Sequence, residues 1–145
     1  MEKKSGKLGK INMKIESKTV TLKESQENIF NFLSDFRNFE NLIPQDKVSK
    51  WTASQDTCSF NINGMADIGM KITKLEQPST IHIDSHGKNP FAFTLTANIK
   101  EIGENSSEVN LMFNADVNPF LSMMAEKPLT NFFNMIADKL QVIYG

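Results

Sequence analysis

Asn118 to Tyr144 reads NPFLSMMAEKPLTNFFNMIADKLQVIY. Apolar residues return there at helical spacing, through Leu121, Met124 and Ala125, then Leu129, Phe132, Phe133, Ile136, Leu140 and Ile143. The stripe covers about a third of the circumference, so one face of this helix must lie against something apolar. Almost everything from Thr52 to Val117 alternates at period two, which predicts a sheet as that partner. A long amphipathic helix across a curved antiparallel sheet either fills the space between the two or leaves a pocket. Which of these holds decides the function.

The alternation can be followed strand by strand. Lys14 to Leu22 is β-branched and predicts a first strand. Ser25-Gln26-Glu27-Asn28 then reads as a helix start, with Ser25 as N-cap and Glu27 favoured in the first turn by the helix dipole. Ile29, Phe30, Leu33 and Phe36 continue it, and a short second helix is expected before Pro44. From Val48 onward strands dominate. Cys58, Phe60 and Ile62 share one face, as do Ala66, Ile68, Met70 and Ile72, then Ile81 and Ile83, then Phe91, Phe93, Leu95, Ala97 and Ile99, and last Val109, Leu111, Phe113, Ala115 and Val117. Turns fall at Gly64, at Gln77-Pro78-Ser79, at Gly87-Lys88-Asn89-Pro90 and over Gly103 to Ser107. One apolar and one polar face per strand is the mark of an antiparallel sheet covered on one side.

Composition narrows the function classes. At 145 residues, with 39% hydrophobic and 23% charged residues, the chain suits one soluble domain over residues 13–145, preceded by a flexible Lys-rich tail over residues 1–12. A formal net charge of -1 speaks against nucleic acid as a partner. Arg37 is the only arginine, which disfavours a phosphate-reading surface. Cys58 is the only cysteine, so no internal disulfide forms. No apolar run is long enough to span a membrane, and the expectation is a cytoplasmic protein with no stable membrane insertion.

Strand, two short helices, about six further strands and a long closing helix define an α+β chain. In that order, the first strand leading into SQENIFNFLSDFRNFENLIP, the VSKW that opens the next strand, the hairpins and the terminal helix resemble the SRPBCC superfamily. That group comprises START lipid-transfer domains, the birch-pollen-allergen group and polyketide cyclases. The segment FNFLSDFRNFENLIP carries most of the likeness, because the family has a helix that runs into an aspartate-bearing bend and a proline. The resemblance covers nearly everything after residue 13. It implies the helix-grip fold, a curved antiparallel sheet of about seven strands wrapped around the C-terminal helix, with a cavity between them. The alternation of this sequence would line that cavity with Phe60, Ile62, Ile68, Met70, Ile81, Ile83, Phe93, Leu95, Phe113, Met124, Phe132, Phe133 and Ile136, with Phe36 and Phe39 near the mouth. Such a wall suits a small hydrophobic, lipid-like or aromatic ligand. Eleven Phe and eight Met could equally fill the space, Met being a good gap-filler.

Candidates for chemistry are thinner. His82, Asp84 and His86 share a strand face, but side chains two apart on a strand stand about 6.6 Å from one another, so one ion could take at most two. They also oppose Ile81 and Ile83, which puts them on the solvent side. Cys58 lies in an apolar row with both histidines facing away, which suits a buried thiol better than a nucleophile. Asp35, Arg37 and Glu40 are charged residues close to the expected mouth. The sequence therefore predicts no catalytic residue, no metal and no cofactor. It favours non-enzymatic binding or transport of a small hydrophobic molecule over two alternatives, a polyketide cyclase/aromatase-like enzyme and a protein-interaction module with a filled core.

Overall fold

The computed structural model describes residues 9–145. Of the expected tail, residues 1–8 lie outside the described residues, whereas Ile11 and Asn12 already belong to a strand and face Val117 and Asp116 across a ladder. The elements in chain order are β1 (Ile11–Glu16), β2 (Val20–Leu22), α1 (Gln26–Leu33), a 3-10 helix (Phe36–Asn41), β3 (Val48–Ala53), β4 (Thr57–Ile62), β5 (Ala66–Glu76), β6 (Thr80–Ser85), β7 (Thr94–Gly103), β8 (Ser106–Val117) and α2 (Pro119–Tyr144). Every strand pairing is antiparallel, in the order β1-β8-β7-β6-β5-β4-β3, with β2 also on β8.

β8 is the spine of this sheet, because it pairs with β7 on one side and with β1 and β2 on the other. Its inward row of Ser107, Val109, Leu111, Phe113, Ala115 and Val117 is buried at every second position. The first strand departs from the expected single segment. From Ile15 opposite Phe113 to Val20 opposite Val109 the chain advances one residue more than β8 does. That extra residue is a bulge, and it reverses the phase of the alternation, so Met13 and Ile15 point inward before it and Val20 and Leu22 after it. Ser17 bridges the break. Its N–H donates to the Leu111 carbonyl at 2.9 Å, and its Oγ accepts from the Leu111 N–H at 2.9 Å. One expected strand is thus two, and the sheet has eight strands.

The helices start where their caps place them. Ser25 Oγ accepts from the Asn28 N–H at 3.2 Å and opens α1. Asp35 caps the 3-10 helix by accepting from the Arg37 N–H at 2.9 Å. Asn118 accepts from the Leu121 N–H at 2.8 Å and opens α2, with Pro119 pre-set for its first position. At 26 residues α2 is about 39 Å long. α1 lies against β6, β7 and β8, and α2 against β1, β2 and β8, so both helices cover the inner face. The region between α2 and the far strands β4 and β5 is left to side chains.

Candidate functional site

Aromatic rings fill that region in sequence. Trp51 of β3 lies against Phe60 of β4 with ring centroids 5.5 Å apart, and Phe60 stacks on Phe132 of α2 at 5.6 Å and 21°. Phe132 meets Phe133 edge-on at 5.5 Å, Phe133 meets Phe113 of β8 at 5.5 Å, and Phe113 stacks on Phe93 at 5.0 Å and 28°. Phe91 reaches Phe113 edge-on at 6.4 Å. This chain of rings spans the gap from β3 to the segment that leads into β7. Each such pair adds roughly 0.5–1.5 kcal/mol beyond its area burial.

What remains open among the rings is a chamber of about 20 Å³. It is bounded by Phe60, Ile62, Ile68 and Met70 from β4 and β5, Phe113 from β8, Leu129, Phe132 and Phe133 from α2, and Phe91 and Phe93 from the loop before β7. A void of that size admits about one water-sized sphere, and a lining without polar atoms gives a water no partner, so it is dry. A second space adjoins it. This is an open cleft of about 850 Å³ at the end of the sheet where β7 begins and β8 ends, lined among others by Asn12, Thr94, Asn114, Asp116, Leu121, Phe91 and Phe93. Phe91 and Phe93 therefore border both spaces.

Eight of the residues the sequence nominated for a cavity wall meet at the chamber: Phe60, Ile62, Ile68, Met70, Phe93, Phe113, Phe132 and Phe133. The others go elsewhere. Ile81, Ile83, Leu95 and Ile136 are buried in the continuous core beyond it. Phe36 and Phe39 lie at no mouth, since they are 0% and 3% exposed and meet edge-on at 5.2 Å beneath the 3-10 helix. Met124 is 58% exposed and faces outward with Phe120 and Met123, because the inward positions of this part of α2 are the small Ser122 and Ala125. Sequence reasoning missed two wall residues, Leu129 and Phe91. Both sat in apolar rows already recognised, Leu129 one helical turn before Phe132 and Phe133, and Phe91 two residues before Phe93.

No titratable side chain lines the chamber. Cys58, one inward position before Phe60, is desolvated by burial, which pushes its thiol up to about 12, so it stays a neutral SH at physiological pH. His82 bonds Glu76 on the outer face instead of joining Asp84 and His86. The hydrogen bond from His82, with the nearby charge of Lys74, holds the Glu76 carboxyl below its usual range. Asp35 and Arg37 are engaged with each other, the guanidinium Nη2 donating to the carboxylate at 2.7 Å. That bond is the main reason the Asp35 carboxyl is held below its ordinary value. These charges cap the 3-10 helix.

No family model and no curated protein sequence matches this chain. Solved structures do match it. Norcoclaurine synthase from Thalictrum flavum, in complex with dopamine and hydroxybenzaldehyde, superposes with a TM-score of 0.71 at 12% identity, over 99% of this chain and 92% of that one. A START superfamily protein from Mycobacterium smegmatis gives 0.65 at 12% identity, over 90% and 98%. The di-domain ARO/CYC protein BexL gives 0.66 at 10% identity, over 89% of this chain and 45% of that one. The chain has the SRPBCC-type helix-grip fold. At such identities the likeness is one of fold. In this helix-grip chain the grip between sheet and α2 is occupied by the protein's own rings. Among the described residues no helix is long and apolar enough to cross a membrane.

Proposed function

We propose that this chain is a non-enzymatic binder or carrier of a small hydrophobic molecule, held between the sheet and α2. The observation that carries the reading is the chemistry of the chamber wall, ten side chains that are all apolar. Acid-base catalysis needs an inward titratable group within hydrogen-bond reach of its substrate, and this wall supplies none, which disfavours the cyclase-like alternative. Binding of an apolar body needs only apolar surface, with polar groups at the rim to fix orientation.

At about 20 Å³ the chamber is closed, well under the roughly 300–1,000 Å³ of ordinary ligand sites, so a ligand is accommodated by displacing rings. Side chains that already stack in pairs can exchange a ring–ring contact for a ring–ligand contact of similar energy. This favours a flat aromatic guest over a bulky one. The helix-grip neighbour solved with dopamine and hydroxybenzaldehyde supports aromatic guests as a class the fold admits.

The filled state supports a second reading, a protein-interaction module. Phe120, Met123 and Met124, 64%, 74% and 58% exposed on the first turns of α2, are the surface that favours it. Titration with the apolar fluorophore N-phenyl-1-naphthylamine separates the two. A saturable rise in emission at one probe per chain supports the carrier. No rise at any concentration below probe solubility supports the interaction module.

A further inference from the structure

We propose that the first turns of α2 are a self-association surface, on which a second copy of this chain docks antiparallel through Phe120, Met123, Met124 and Lys127. This rests on the surface of the second reading above and holds whether or not the grip takes a guest. With 3.6 residues and 5.4 Å to the turn, the four positions fall in a strip about 100° wide and about 10 Å long. Phe120, Met123 and Met124 are 64%, 74% and 58% exposed, and Lys127 is exposed beside them. Asn131 and Asp138 continue the same face as exposed polar residues, so the apolar strip ends at Lys127. A cluster of exposed apolar side chains confined in this way marks a contact site.

The order of residues along the strip makes it complementary to itself. A ring stands at one end, a cation at the other, and two methionines lie between, so the strip is symmetric about the point midway between Met123 and Met124. A two-fold axis through that point, perpendicular to the helix, lays α2 against α2 of the second copy in the isologous manner of most homodimers. Each Phe120 ring then receives the ammonium of the second copy's Lys127, a cation over the negative face of a ring. The methionines of both copies meet around the axis, where flexible thioethers fit one another and the ring edges. A parallel pairing would set Lys127 on Lys127, so like charges select the antiparallel one. Charge also favours a protein over a lipid surface as the occupant. Among the described residues on and beside this stretch, Lys10 and Lys127 are offset by Asp116 and Glu126, which leaves no net positive charge to draw it to an anionic bilayer. Four side chains from each copy make a contact below the roughly 1,200 Å² of stable complexes, so the dimer is weak and forms at high concentration.

Sedimentation velocity of the full chain, from about 10 μM to about 1 mM, covers the range of such weak pairing. Wild type is expected to pass from monomer to dimer across that range, and a monomer throughout overturns the second copy. Phe120→Lys removes both ring contacts and faces two pairs of like charges across the axis, so it should raise the dissociation constant by about tenfold or more. Adding Lys127→Glu to that variant sets opposite charges in the same register and should bring the constant back within about threefold of wild type. Both positions are exposed, and circular dichroism matching wild type shows that the variants fold. A dimer indifferent to Phe120→Lys, or one that Lys127→Glu does not recover, overturns the pairing. A wild type that stays monomeric yet pellets with phosphatidylglycerol vesicles overturns it too and gives the surface to lipid. The fluorophore titration decides between the two functional readings and sedimentation decides the second copy, so each can fail alone.

Discussion

Phe132 is the side chain on which the filled grip depends most, because it stacks on Phe60 and meets Phe133 while staying 5% exposed. Phe132→Ala removes a ring from water-free surroundings, which forfeits about 2 kcal/mol of transfer free energy. It also leaves a hole on the order of 100 Å³ beside the chamber, which at about 24 cal/mol per Å³ costs a further 2 kcal/mol or so. A total near 4 kcal/mol is a large part of the stability of a domain this size, about 5–15 kcal/mol. Urea unfolding followed by circular dichroism reads the loss as a lower midpoint at unchanged slope. The hole is ring-sized, apolar and dry, so benzene should refill it. At tenfold its dissociation constant benzene should restore about 1.4 kcal/mol in the variant and less in wild type. A loss below about 1.5 kcal/mol, or a variant indifferent to benzene, would refute the claim that this ring fills interior space.

Three further outcomes follow. Met124→Lys should change unfolding free energy by no more than about 0.5 kcal/mol, since the side chain faces outward; a loss of several kcal/mol would return Met124 to the wall. Ser107 Oγ is buried with no hydrogen-bond partner, so Ser107→Ala should leave the protein as stable or more stable by about 1 kcal/mol in urea titrations, and a clear loss would reveal an unseen partner. The Asp35 carboxyl is held below its ordinary 3.8 chiefly by the Arg37 hydrogen bond, so it stabilises the fold above pH 4 and that contribution is lost as pH falls through the lowered value. Asp35→Asn should accordingly be slightly less stable than wild type at pH 7 and converge with it as the solution is acidified; a gap that is constant with pH would contradict the assignment.

Period-two alternation was enough to read β4 to β8, because Phe60, Ile68, Ile83, Leu95 and Phe113 sit in rows where every second residue is polar, and the phase slips only toward the ends of β5, past Ile72, and of β7, past Glu101. The first strand could not be read that way. Ser17, Lys18 and Thr19 suit either face, so nothing in the sequence marks the bulge that reverses the pattern there. Met124 was misplaced for a related reason. Phe120, Met123 and Met124 form a second apolar stripe on the first turns of α2, and spacing alone does not say which of two stripes is buried. The small Ser122 and Ala125 proved to be the inward ones. Phe36 and Phe39 were recognised as apolar but not as enclosed, since enclosure depends on how the 3-10 helix folds back under its Asp35 cap. The Asn89 side chain, which accepts from the Gly69 N–H at 3.0 Å and donates to the Gly69 carbonyl at 3.1 Å where a strand would otherwise pair, leaves no trace in periodicity. Whether the grip would be filled or open was the least legible, because it turns on ring orientations such as the 21° between Phe60 and Phe132.

The most direct measurement of the central claim is native mass spectrometry of the protein as purified, with organic extraction of whatever leaves on denaturation. The account predicts a stoichiometric apolar adduct that is lost when the chain unfolds, or a protein that acquires one, with a rise in thermal stability, from a library of lipids and aromatics. A bare mass that no member of such a library shifts would contradict it and leave the surface of α2 as the working part of the molecule.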